Sequence, residues 1–190
     1  MDVAARSLAL AGGTFSNNQA GSGSGGGAKV WTEDGATLTD VLFSGNSADW
    51  GGGMLLAGDA TLTNVVFTGN DADVGGLAAE PDTGEVQTLT NVVFSGNTGD
   101  WSGGMAVWGA GRVDLVNSTF SGNVGRLSDG RGSALAAWDG ATTLTNSVVW
   151  GNTGGASPFD VDGGSLAISY SDIEGGCAAV AGATCGAGNA

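Results

Sequence analysis

Histidine is absent from this 190-residue sequence, which removes Ser-His-Asp and Cys-His nucleophilic catalysis and nearly every catalytic zinc site. Lys plus Arg number only 5 against 19 acidic residues, a formal net charge of −14. Such a chain repels a nucleic-acid backbone and an anionic bilayer surface, so neither is expected as a partner. The charge is compatible with divalent cations and with neutral or cationic ligands. No apolar run is long enough for a membrane-spanning helix, so no membrane insertion is expected. Residues 1–6 lack a signal-peptide pattern, and the chain reads as a mature product or an excised piece. Proline occurs twice while glycine occurs 38 times, which argues against a helix bundle or a doubly wound sheet and for a turn-rich, repetitive β architecture. The two cysteines, Cys177 and Cys185, are spaced to close a local disulfide in an oxidising compartment, with two free thiols as the alternative.

What is present is a repeat. Phe-x-x-Asn recurs as Phe15 to Asn18, Phe43 to Asn46, Phe67 to Asn70, Phe94 to Asn97 and Phe120 to Asn123, with Val149 to Asn152 a degenerate sixth copy. The steps between anchors are 28, 24, 27, 26 and 29 residues. An aliphatic stands five positions before each anchor: Leu10, Leu38, Leu62, Leu89, Leu115, Leu144, and Ile168 before Ile173. Three positions before it, Asp40, Asn64, Asn91, Asn117 and Asn146 form a second polar column. A period of this size marks a solenoid. Stacked Asn side chains can bond their copies above and below, and Asn tolerates the left-handed backbone of a sharp bend. Glycine pairs such as Gly52-Gly53 and Gly75-Gly76 read as tight corners feeding a further strand. The fold expected is all-β, a right-handed parallel β-helix (β-solenoid) of about six to seven coils. It forms a single domain, with regular coils over about residues 8–175 and a tail at 176–190.

At these motifs the sequence resembles the repeats of chlamydial polymorphic membrane proteins, defined by Phe-x-x-Asn and Gly-Gly-Ala-Ile, and the wider set of secreted bacterial right-handed β-helix repeat proteins. The second motif is nearest at Gly26-Gly27-Ala28-Lys29-Val30, other coils carrying Met or Leu. The resemblance spans about residues 8–175. It implies an extracellular or cell-surface location and a role in adhesion or surface binding, and it brings no catalytic residues. The segment 168–177 looks like a last coil after which such chains continue, implying a piece without its C-terminal cap.

Three constellations bear on chemistry. Asp49, Asp73 and Asp100 fall three residues after successive repeat Asn residues, with Arg126 next in line. With Asp71 they can share Ca²⁺, or they form a solvated acidic edge. Six tryptophans stand against one tyrosine. Trp50 and Trp101 follow the acids directly, Trp31 and Trp108 share a second register, and Trp138 falls one residue later. Flat indoles beside Asp and Asn suit stacking on sugar rings, or else cover hydrophobic edges at the corners. Thr-x-Thr pairs (Thr37/Thr39, Thr61/Thr63, Thr88/Thr90, Thr143/Thr145), interrupted by Asp114 and Val116, suggest outward ladders of the kind an ice-binding face uses.

Aligned acids that recur with the coils resemble scaffold more than an active site, which should break the repeat locally. The reading is therefore a non-catalytic extracellular β-helix module for adhesion or for binding a carbohydrate or cell-surface ligand, with no cofactor unless Ca²⁺. A polysaccharide lyase or glycoside hydrolase is the alternative, and head-to-tail self-association through open strand edges a further one. The irregular places, at residues 82–87, 126–131 and 158–162, are where more specific chemistry is expected.

Overall fold

A computed structural model of the chain describes residues 1–127, 131–177 and 180–190. It is an all-β solenoid of about six turns in which the paired strands run parallel. One face stacks seven strands: Asp2–Ala5, Ala28–Thr32, Met54–Ala57, Leu77–Glu80, Met105–Val107, Gly132–Ala137 and Ser157–Val161. Two further faces merge into one long sheet, because Leu8–Ser16 and Ala36–Ser44 run through a bend without losing their pairing. A narrow stack of Asp71–Val74, Thr98–Ser102 and Val124–Gly125 closes the remaining side.

The predicted anchors are in register. Leu38, Leu62, Leu89, Leu115, Leu144 and Ile168 pair in succession. Phe15, Phe43, Phe67, Phe94 and Phe120 stack with ring centroids 4.6 to 5.1 Å apart. Each ring from Phe43 to Phe120 is wholly buried, a contribution of roughly 1.5–3 kcal/mol apiece from removal of apolar surface from water. Parity before the anchor also resolves: Val41, Val65 and Val92 point inward, while Leu42, Val66 and Val93 are half-exposed.

Both polar columns serve the bends, in different ways. Asp40, Asn64, Asn91, Asn117 and Asn146 have φ between 52° and 56°, the left-handed conformation that Asn and Asp tolerate best among residues with a side chain. From Asn46 to Asn123 the column after the anchor is buried and bonded from coil to coil. Asn46 Nδ2 donates to Asn70 Oδ1 at 2.9 Å and to the Phe15 carbonyl at 2.9 Å, and its backbone N–H reaches the same Asn70 oxygen at 3.0 Å. The pattern repeats at Asn70, Asn97 and Asn123.

The glycine pairs have a different cause from the tight corner expected. Gly52, Gly53, Gly75 and Gly76 have ordinary φ values, and their need is space. A Cβ on Gly53 would lie 2.6 Å from the Gly76 carbonyl oxygen and 2.8 Å from the Phe67 ring.

The tail at 176–190 adds one more short rung to the long sheet: Ala183–Cys185 pairs with Ser165–Ser169, placing Cys185 opposite Ile168. Asn189 Oδ1 accepts the Ser171 N–H at 3.0 Å, and the Ala190 carbonyl accepts that of Ile173 at 3.0 Å. Cys177 and Cys185 form the expected disulfide. At the other end Val3, Leu8, Leu10 and Phe15 are only partly buried.

Candidate functional site: a tryptophan cleft on the seven-stranded face

Outward positions of the seven-stranded face alternate between two columns. In the first, Lys29, Leu55, Ala78, Ala106, Ala136 and Asp160 are paired in order. The three alanines leave a shallow trough, since a methyl group fills little of the space above the sheet. Trp50, from the segment after Asn46, and Trp101, from the strand Thr98–Ser102, fold over this trough and pack against Leu55, Val74, Ala78, Ala106 and Ala136. The second column contains Trp31, Ala57 and Glu80, continued by Trp108, Trp138 and Asp162.

Trp138 therefore shares the register of Trp108, a correction to the one-residue offset read from the sequence. Val107 pairs with Ala137, so the residues after them align. The glycine before this strand misleads the count: Gly132 looks equivalent to Gly103, but Met105 pairs with Leu135, which sets Ser133 opposite Gly103.

Four indoles meet edge to face. Trp50 and Trp101 have centroids 5.8 Å apart at 85°, Trp101 and Trp138 5.4 Å at 77°, and Trp108 and Trp138 5.5 Å at 80°. These are favoured aromatic geometries, and the four side chains form a small second core outside the solenoid. Trp138 is 8% exposed and Trp108 45%. Trp31, also exposed, stands apart beside Lys29 and Ala57 in a separate depression reached by Trp50 and Glu80. Two carboxylates hold indole N–H groups: Glu80 Oε1 accepts from Trp50 Nε1 at 2.8 Å and Asp160 Oδ2 from Trp138 Nε1 at 2.6 Å. Burial pushes the Glu80 carboxyl above its ordinary pKa, against the opposing pull of the Trp50 hydrogen bond.

Beside this cluster an open cleft of about 530 Å³ is lined by Trp101, Trp108, Trp138, Arg131, Asp139, Asp160 and Asp162. The Arg131 guanidinium carbon lies 4.1 Å from the Trp101 ring centroid and 5.9 Å from that of Trp138. Two of the three irregular segments converge here, through Arg131 and through Asp160 and Asp162. Of the segment 126–131, residues 128–130 lie outside the described residues.

The acid column lies on the narrow stack, around the side from the cleft. Asp73 N–H donates to the Asp49 carbonyl at 2.9 Å, so those two residues are neighbours in adjacent coils. Asp100 sits in a bulge, where the pairing of Gly99 with Ala72 shifts to that of Ser102 with Val74. The guanidinium of Arg126 bridges Asp71 and Asp100, at 2.9 Å from Asp100. Burial, then the Asp100 and Asp49 charges, push Asp73 above its ordinary pKa, with Arg126 opposing. The residue next in line thus supplies a cation to the column. Among the described residues no three His, Cys, Asp or Glu side chains converge in a way suited to a metal ion.

No family model matches the chain, and no curated protein or solved structure matches it either.

Proposed function

We propose that the chain is a non-catalytic β-solenoid module that binds carbohydrate at an extracellular or bacterial cell surface, through the tryptophan cleft. The observation that carries this reading is the convergence of three indoles with Asp139, Asp160 and Asp162 around one open cleft. Indole faces cover the C–H surface of a sugar ring, and carboxylates accept from its hydroxyl groups. The Cys177–Cys185 disulfide supports an oxidising compartment. Trp50 and Trp101 act mainly as packing, so the informative substitution is at the exposed Trp108.

A glycan array probed with the wild-type chain and Trp108→Ala tests the reading. Binding to at least one glycan class that the variant loses is expected. Retained folding with no glycan bound by the wild type overturns it, and release of new reducing or unsaturated ends from a bound polysaccharide would make the protein an enzyme. Calcium at Asp49, Asp71, Asp73 and Asp100 rests on the sequence column alone, and a thermal melt with and without Ca²⁺ tests it through a shift of several degrees.

A second reading, ice binding, is favoured by one observation. Thr37, Thr61 and Thr88 stack in register, as do Thr39, Thr63 and Thr90, on a face where the Leu between each pair points inward. Thermal hysteresis in a freezing assay is its test, and its absence at millimolar protein ends that reading.

A further inference from the structure

The inference drawn here rests on the saccharide reading of the cleft and names the class of sugar. The geometry points to a basic saccharide, one carrying free ammonium groups, whose charge takes the place on the Trp101 face now held by the Arg131 guanidinium.

Three observations carry it. First, the cleft already holds a cation: the Arg131 guanidinium carbon is 4.1 Å from the Trp101 ring centroid, within the range where an indole face attracts positive charge. Second, the rim is unbalanced. Asp139, Asp160 and Asp162 face the single guanidinium of Arg131, and the Trp138 N–H bond to Asp160 fixes one of these acids against the aromatic wall. A uronic acid or sulfated sugar entering the cleft meets three carboxylates, whereas an amino sugar meets opposite charge beside an indole face. Third, the chain as a whole carries 19 acids against 5 bases, a formal net charge of −14, and a field of that sign draws cations and repels anions.

Arg131 is then a resident competitor. A ligand ammonium must exchange with it, and shortening the side chain frees the Trp101 face. The acids and the exposed Trp108 are what the ligand keeps.

The test is calorimetric titration of the full chain with glucosamine hexamer, N-acetylglucosamine hexamer and cellohexaose, at a pH where the free amine is charged, with spermine as a charge-only control. Glucosamine hexamer should bind at least tenfold more tightly than either neutral hexamer. That preference should shrink with added salt, and the affinity for the glucosamine hexamer should fall at least tenfold in Trp108→Ala. Asp162→Asn, an exposed change that keeps an oxygen acceptor for sugar hydroxyls but removes the charge, should weaken the glucosamine hexamer several-fold more than it weakens either neutral hexamer. Arg131→Gln should tighten it several-fold. Neutral hexamers binding as well as glucosamine hexamer would overturn the inference and leave the saccharide reading standing. So would binding confined to other glycans of the array. Spermine binding as tightly as the glucosamine hexamer, with both indifferent to Trp108→Ala, would reduce the effect to bulk charge and overturn it too. An array on which nothing binds overturns both.

Discussion

Asn70 donates its side-chain amide to Asn97 Oδ1 at 2.9 Å, from one coil to the next. The same amide reaches the Phe43 carbonyl, and Asn70 Oδ1 receives both the backbone and side-chain N–H groups of Asn46. All of these groups are buried or nearly so, so the residue closes a local circuit that water cannot replace.

Asn70→Ala should therefore be among the most damaging polar truncations in the chain. It orphans the Phe43 carbonyl and two Asn46 donors, and each orphaned buried group costs about 1–3 kcal/mol. A loss of roughly 3 kcal/mol or more is expected in urea denaturation. Asn70→Asp should fail as well, since a carboxylate faces two acceptors, the Phe43 carbonyl and Asn97 Oδ1, with nothing to donate.

Two buried polar residues in one inward column should respond in opposite directions. Gln87 and Thr142 occupy the row of Ala36, Ala60, Val113 and Leu166. Thr142 Oγ1 is buried with no partner, so Thr142→Val, nearly equal in shape, should raise stability by about 1 kcal/mol. Gln87 Nε2 donates to the Leu56 and Gly58 carbonyls, so Gln87→Leu should destabilise despite adding apolar surface. Paired melts of the two variants check the contrast.

The raised carboxyls predict a pH dependence. For Asp73 and Glu80 the folded state holds its proton to higher pH than the unfolded chain does. Their contribution to stability is thus fully present below the ordinary values of 3.8 and 4.5 and is lost as pH rises through the folded values. Asp73→Asn should be stabilising at pH 7 and neutral in acid, and denaturation midpoints measured at both pH values read the difference. Glu80→Gln should show the same sign while keeping an acceptor for Trp50.

Reducing the disulfide should act locally first. A loop spanning eight positions between Cys177 and Cys185 constrains the unfolded chain by about 2–3 kcal/mol. In Cys177→Ser/Cys185→Ser, amide exchange should accelerate at the backbone bonds of residues 183–190 and at Tyr170 and Ile173, which donate to that tail. Protection at Phe67 and Phe94 should be unchanged.

The solenoid was legible because its signals are side chains at fixed distances from Phe: Leu38 meets Leu62 and Asn46 meets Asn70 whatever the loops do. The tryptophan cluster was less so. Ser133-Ala134 stands where other coils carry the glycine pair, with Gly132 one place early, so counting from the glycine misplaces Trp138, whereas strand pairing aligns it with Trp108. The available clue was the floor: Ala78, Ala106 and Ala136, each flanked by inward residues, mark a sheet surface kept low for something to lie on it. A ladder also went unread. Ser118, Ser147 and Ser171 take over the inward row of Val41, Val65 and Val92, each hydroxyl bonding the carbonyl two residues earlier. Ser147 and Ser171 also accept the N–H of the preceding rung. Serine in a strand carries no signal of direction, so only the register reveals it.

The half-buried Phe15 and Leu10 of the first coil give the rod a mechanical polarity. Every coil is held to the next by hydrogen bonds that lie along the long axis, so end-to-end tension is carried by all the interfaces in series and the weakest parts first. The first interface to part is that of Leu8–Ser16 with Ala36–Ser44, whose apolar side chains are the least covered, while the opposite end is cross-linked. Pulled from its two ends, the molecule peels coil by coil from the amino terminus, each step releasing one repeat's length of chain.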